Sequence, residues 1–235
     1  MITRFPVSIT SMILLLICSL FVSVVSADAD NIPQPLNTKP NRVPFELLNQ
    51  SLSENGTATI TITDPQKLKE IAVQDGLQEV PKKVEYEYVP IKDKDQNSNQ
   101  FTTLENVYFL TTQDKGRGHY SSSDMYKEFY VYGPDNFTIS EAIKKSTYYD
   151  GEIKLDVSVL EAKVGIKIGE ERDVKWSSTT EIKKGERVRF QLYTTWHQIN
   201  YWEWFGPNGN TGQSKCTGYG TVYDPDGQLI KKAYF

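Results

Sequence analysis

The chain has two histidines, His119 and His197, and histidine is the side chain most often used as a general base near neutral pH. Neither has a nucleophile set beside it in a known pattern: there is no Gly-x-Ser-x-Gly elbow and no Cys-Gly-x-Cys-Trp segment. His119 lies in Gly116-Arg117-Gly118-His119-Tyr120 and reads as a solvated loop residue. His197, between Trp196 and Gln198, reads as a structural strand residue. Paired carboxylates are the other route to hydrolysis, because glycoside cleavage needs only two. Glu85 and Glu87 alternate as the wet face of a strand would, and Glu203 stands among aromatics. Asp224-Pro225-Asp226-Gly227 and Asp93-Lys94-Asp95 offer oxygen ligands, but neither continues into the ordered series ending in Glu that a calcium loop requires. They read as a hairpin turn and a solvated loop. No His/Cys cluster suited to zinc occurs. The residues therefore imply no metal, no cofactor and no catalytic set, and the expectation is a non-enzymatic protein, with a glycan or peptide hydrolase as an alternative.

The run Trp196-His197-Gln198-Ile199-Asn200-Tyr201-Trp202-Glu203-Trp204-Phe205 is the densest aromatic segment. On a strand, Trp202 and Trp204 share one face, and Tyr201, Glu203 and Phe205 share the other. Flat rings with polar edges stack on sugars and make contact area for protein partners. Trp202, Trp204, Trp196 and Tyr201 are accordingly the candidate binding residues. The competing reading places these rings in the core. The loop Gly206 to Ser214 follows directly, as loops that line sites often do.

The elements that must carry these residues begin after an export signal. One positive charge at Arg4 precedes an apolar run from Met12 to Val25, and small residues follow at Ser26, Ala27 and Ala29. The run is too short to span a bilayer. Cleavage after Ala27 or Ala29 is expected, so residues 1–27 are a signal peptide and the mature protein is secreted. Loss of Arg4 leaves 25 basic residues against 30 acidic ones, which argues against a nucleic-acid partner. It also leaves Cys216 as the one cysteine, so no intramolecular disulfide forms and the core alone must hold the fold.

Four prolines among polar residues make 28–46 an extended leader, with little packed structure expected before Phe45. Residues 47–235 form one mostly β domain. Thr57 to Thr63 is a β-branched strand. Asp64-Pro65 followed by Leu68, Ile71 and Ala72 predicts one short helix over about 65–74. Period-two patterns predict strands at Val84–Val89, Val107–Thr111, Tyr126–Tyr132, Val174–Ile182 and Val188–Leu192, with Gln113 to Ser123 as a loop. Ile153–Val159 and Ala162–Ile168 alternate with a one-residue slip between them. They read as two strand arms, with a helix over 153–164 as the rival. Asp224 to Gly227 predicts a hairpin turn between the last two strands. The fold class is mainly β: an antiparallel β-sandwich or elongated antiparallel domain with one short helix.

The string from the Val-rich segment through Gly165, Ser177-Ser178-Thr179-Thr180, Ile182-Lys183-Lys184-Gly185 and the basic-alternating strand resembles small secreted proteins of unknown function in Gram-positive bacilli. Its rhythm is also similar to the Ser/Thr-rich β regions of aerolysin-type pore-forming toxins. That resemblance implies an amphipathic hairpin, at about 152–182, that leaves the soluble form and joins a transmembrane barrel. About ten alternating residues per strand suffice for such a barrel. Two functions follow as expectations. The first is a secreted binding domain for a cell-envelope component, a glycan or a protein partner; the alternative is a membrane-active or pore-forming protein.

Overall fold

The computed structural model describes residues 33–35, 39–49, 57–91, 106–207 and 209–235. The signal peptide expected over 1–27 and the solvated loop expected over 92–99 lie outside them. Within the described residues the protein is mainly antiparallel β, a curled sheet with a few short helices. In chain order the elements are β1 (Asn41–Arg42), α1 (Phe45–Asn49), β2 (Ala58–Ile62), α2 (Pro65–Gln74), β3 (Lys83–Pro90), β4 (Asn106–Tyr120), β5 (Met125–Tyr132), β6 (Asp135–Ser146), β7 (Tyr148–Gly151), α3 (Val157–Val164), β8 (Glu171–Ile182), β9 (Arg187–Pro207) and β10 (Lys215–Tyr234).

Strands β9 and β10, 21 and 20 residues long, form the spine. The main sheet runs β1-β4-β9-β10-β3-β2, with β5 joining β9 and β7 joining β10. Strands β6 and β8 form a separate two-stranded ribbon in unbroken register from Asp135↔Ile182 to Ser146↔Glu171. All the pairings among the described strands are antiparallel, as the expected mainly β class requires.

Because β9 is paired with β10 from Val188 to Phe205, its residues divide by parity, and both faces are covered. Val188, Phe190 and Leu192 meet Ile139, Val174, Trp176 and Ile182 of the ribbon, with Ile230 and Tyr234 of β10. On the opposite face Tyr193 joins a core with Leu68 and Ile71 of α2, Val84, Tyr86 and Tyr88 of β3, and Leu229 of β10. Farther along that same face Ile199 and Tyr201 lie with Leu160 and Val164 of α3. Each apolar side chain buried this way contributes roughly 1.5–3 kcal/mol, which is how a domain with Cys216 as its one described cysteine holds together.

Helix α2 forms where its signals put it. The Asp64 side chain accepts the Lys67 N–H, Pro65 opens the first turn, and Leu68, Ile71 and Ala72 are buried. Three expectations need correction. The arms at 153–159 and 162–168 are not strands: Asp156 caps a helix, α3, that ends on Gly165 at φ 74°. The apolar set there serves Leu160 and Val164 at helical spacing, and among the described residues three α-helices stand where one was expected. Gln113 to Ser123 is no loop for most of its length, since β4 runs on to Tyr120 with register shifts at Asp114/Gly116 and Gly116/His119. Gly118 adopts φ 76°, and a Cβ there would sit 3.0 Å from Val43, so only glycine lets β4 pass this close.

The third correction concerns Asp224 to Gly227, which is a bulge inside β10 and not its starting turn. Proline is tolerated in so central a strand because, among the described residues, no strand pairs with Pro225 on the side away from β9. Strand β7 reaches β10 only up to Tyr223, and β3 only from Gly227. The leader is also more fixed than expected: Asn41 and Arg42 pair with Tyr120 and His119, and Val43 is buried in the core with Leu47.

Candidate functional site

The four aromatic residues expected at a contact surface are brought together on β9 but are buried: Trp196, Trp202 and Trp204 are 5–7% exposed and Tyr201 is fully enclosed. As folded they line no open surface, and the reason is the double covering of β9. Tyr201 packs beneath α3. The Trp202 indole N–H donates to the Pro33 carbonyl at 2.6 Å, and the Trp204 indole N–H to Thr111 Oγ1 at 2.8 Å. The Trp196 indole donates to Asp124 at 2.9 Å, while Lys39 pairs with the same carboxylate at 2.8 Å and lies over the Trp196 and Tyr223 rings. A small cavity of about 240 Å³ opens near this row, lined by Pro35, Asp150 to Glu152 and Tyr219 to Thr221. The ring of the run that does reach solvent is Phe205, paired with Tyr108 at a centroid distance of 4.9 Å.

The residues with acid–base potential are committed to the fold. Glu203 is fully buried; one oxygen accepts the Lys154 and Leu155 amides at 2.8 Å each, and the other accepts the Thr217 hydroxyl. Asp226 accepts the Gly118 N–H at 2.6 Å and the Thr195 hydroxyl at 2.5 Å, and burial pushes its carboxyl up to about 6. Asp224 accepts the Thr147 hydroxyl and pairs with Arg172, with burial again raising its carboxyl. His197 contacts Asp114 at 2.8 Å. Burial works to raise the Asp114 carboxyl, but bonds from His197 and the Gly116 amide outweigh it and hold it below the ordinary range. Burial keeps His119 below the usual histidine range, its ring against the Lys115 carbonyl. Burial likewise raises the Cys216 thiol, which leaves less of the reactive thiolate. Among the described residues no group of three or more His, Cys, Asp or Glu side chains is gathered as a metal site would need.

One polar trio does meet at a cleft. Ser178 Oγ donates to Glu87 at 2.7 Å, and the Lys232 ammonium donates to Glu87 at 2.9 Å and to Ser178 at 3.1 Å. All three line a cleft of about 530 Å³ with Thr57, Thr59, Ser177 and Thr179. The geometry does not make Ser178 a nucleophile with Lys232 as its base. The hydroxyl proton points to Glu87, and the lysine is a donor to both partners. The trio ties the ribbon to β3 and β10.

The accessible site is not visible in the sequence. Beyond the end of α2, Gly76 to Glu79, Tyr130 of β5, Arg187 and Arg189 of β9 and Phe235 line a groove of about 460 Å³. Strand register explains it: Tyr132 and Tyr130 pair with Arg187 and Arg189, so two rings and two guanidiniums share one face. Tyr130 and Tyr132 are 46% and 68% exposed. The Arg187 guanidinium lies over the Phe235 ring at 4.6 Å and the Tyr130 ring at 5.5 Å. It pairs with Glu79 through Nη2 at 2.9 Å, and Arg189 pairs with Glu128 through Nε at 2.5 Å. The alternation of Arg187 and Arg189 is written in the sequence; that it faces tyrosines from β5 is a fact of pairing between distant segments.

No protein-family model matches the chain, and no curated protein matches it. Among solved structures it is similar to a crystal structure of parasporin-2, a Bacillus thuringiensis toxin that recognizes cancer cells. The two share 13% identity over 70% of this chain and 74% of that one, with a TM-score of 0.19.

Proposed function

We propose that this is a secreted, non-enzymatic β-domain that binds a cell-envelope component, a glycan or a protein partner. The observation carrying this reading is the open groove with Tyr130 and Tyr132 exposed at its side, since clefts with ring faces and a few placed polar groups suit ligand capture. Beside it, the carboxylates Glu79 and Glu128 are each paired with an arginine. The test is a binding screen of the mature chain against purified envelope polymers, a glycan array and surface-protein extracts, run beside a turnover panel on the same polymers. Saturable binding without product supports the reading; turnover of any polymer, or no binding across the screen, refutes it.

A second reading is favoured by a specific feature, the β6–β8 ribbon. Each of its strands has 12 residues, enough to cross a bilayer as a tilted strand. Its buried face carries Phe137, Ile139, Ile143, Val174, Trp176 and Ile182, and its other face is mostly Ser, Thr and charge. Membrane activity would use this ribbon, not the segment 153–168, which is occupied by α3. Among the described residues no helix is long and apolar enough to cross a membrane, which leaves strands as the route this reading uses. Dye release from liposomes of several compositions tests it, and intact vesicles at every composition and protein concentration exclude it.

A further inference from the structure

We propose that the groove between the loop following α2 and strand β5 binds a carboxylate-bearing sugar, with Arg187 taking the carboxylate and the Tyr130 and Tyr132 rings supporting the sugar face; this rests on the binding reading above. Three features point to that ligand. The Arg187 guanidinium is held between the Phe235 and Tyr130 rings, so its plane is fixed before any ligand arrives, and the ordering cost of binding falls. Its fork is half used: Nη2 meets Glu79, while Nε, enclosed as long as Glu79 stays in place, has no hydrogen-bond partner among the described residues, as is also true of Nη1 of the neighbouring Arg189. Arginine binds carboxylates best through two parallel bonds, so a carboxylate seated side-on would complete what Glu79 leaves open. Glu79 is itself 61% exposed, on the loop after α2, and it stands where an incoming carboxylate would.

Charge balance in the groove agrees. Arg189 is matched by Glu128 at 2.5 Å, and the nearby Lys231 by Asp75 at 2.5 Å. Arg187 is matched by Glu79 in the same way, so a ligand carboxylate that displaces Glu79 takes over an existing ion pair and leaves the balance of the groove unchanged. The exposed tyrosines, two residues apart on the same face of β5, offer flat area beside that charge. A sugar ring presents both parts at once: an apolar C–H face for stacking and, in a uronic acid, a carboxylate at its edge.

The experiment is calorimetric titration of the mature chain with an oligogalacturonate and with the same oligosaccharide as its methyl ester. The acidic form is expected to bind at least ten-fold more tightly than the ester. Tyr130→Ala and Arg187→Lys are each expected to lose ten-fold or more, the second because it keeps the charge but not the fork. Glu79→Gln is expected to bind about three-fold or more tightly, because it removes the internal competitor; a residue that merely supported the fold would weaken binding when changed. Melting temperatures measured alongside identify any variant that has lost its fold, and the ester comparison needs no variant at all. Equal affinity for acid and ester, weaker binding by Glu79→Gln, or wild-type affinity in a folded Arg187→Lys would each overturn the proposal. If the chain binds another envelope polymer but not the uronate, this site assignment falls and the binding reading stands. If it binds nothing in the screen, both fall.

Discussion

Asp226 is a carboxylate that the fold would rather keep protonated, and its replacement by asparagine should stabilise the protein above neutrality. The side chain is wholly enclosed, and burial raises its carboxyl from 3.8 to about 6 against the opposing bonds from Thr195 and Gly118. The sign follows from linkage. The folded state binds this proton more tightly than the unfolded chain does, so the contribution is complete below about pH 4 and is lost as pH rises through about 6. A rise of about two pKa units corresponds to about 3 kcal/mol between those limits. The side-chain amide introduced by Asp226→Asn carries no charge at any pH. Its oxygen can accept the Gly118 N–H and its NH₂ can donate to the Thr195 oxygen, so both contacts persist in the variant. Urea unfolding followed by tryptophan fluorescence at pH 4, 5, 6, 7 and 8 gives the difference between variant and wild type. The other titrating groups are common to both proteins and largely cancel from that difference. The expected difference is near zero or slightly negative at pH 4 and grows to as much as about 3 kcal/mol in favour of the variant by pH 7–8. For a domain of this length that is a rise in Tm of several degrees. A variant that is less stable by a constant amount at every pH would show that the carboxylate is a net support of the bulge, and the reasoning would be wrong.

Trp202→Ala should cost about 3–5 kcal/mol of stability, because Trp202 is a buried ring with its N–H satisfied by Pro33; a binding defect with unchanged melting would return it to the surface. Glu87→Gln should cost about 3–5 kcal/mol by leaving the Lys232 ammonium buried without its carboxylate. The pair Glu87→Leu with Lys232→Met should recover most of that loss in the same urea titration, and a double variant no better than the single would refute the account. Cys216 should react with iodoacetamide at pH 7.5 more slowly in the folded protein than in urea, since burial raises its thiol; equal rates measured by mass spectrometry would contradict this.

What is legible in the sequence follows from how local each signal is. Helix α2 is readable because its cap, its proline and its apolar spacing all lie within ten residues of one another. The strands at 84–89, 126–132, 174–182 and 188–192 are readable because alternation is a local property. Helix α3 reads as strand because Val157, Val159, Leu155 and Ile153 fit period two as well as Leu160 and Val164 fit the helical period. The choice is made by the core under Tyr201 and Ile199, which comes from residues some forty positions away. Asp224 to Gly227 carries a sound turn signal, but a bulge uses the same residue types. Only the ends of β3 and β7 on the neighbouring edge show that, among the described residues, Pro225 is paired on its β9 side alone. The aromatic run poses the same problem more sharply. Parity shows correctly which rings share a face, yet exposure depends on what covers that face. The Pro33 carbonyl and Lys39 that meet Trp202 and Trp196 belong to a leader whose composition reads as loose.

The location of the open groove can be understood from the same covering rule. On the face of β9 that carries Arg187, Arg189, Tyr193, Ile199 and Tyr201, helix α2 covers Tyr193 and α3 covers Ile199 and Tyr201. Helix α2 ends at Gln74, and the chain turns away through Gly76 at φ 64°. Beyond that point no helix of the described residues lies over the sheet face, and its residues change character accordingly. Leu229 and Ala233 of β10 are enclosed, whereas Tyr130 and Tyr132 of β5 stand in solvent. An aromatic residue at an uncovered position gains nothing from burial in the free protein. Two of them beside the Arg187 guanidinium are what the proposed ligand would cover. By that logic, a helix α2 longer by one turn would close the groove: the uronate binding proposed there should be lost in the same calorimetric titration, with an unchanged melting temperature showing the three cores intact.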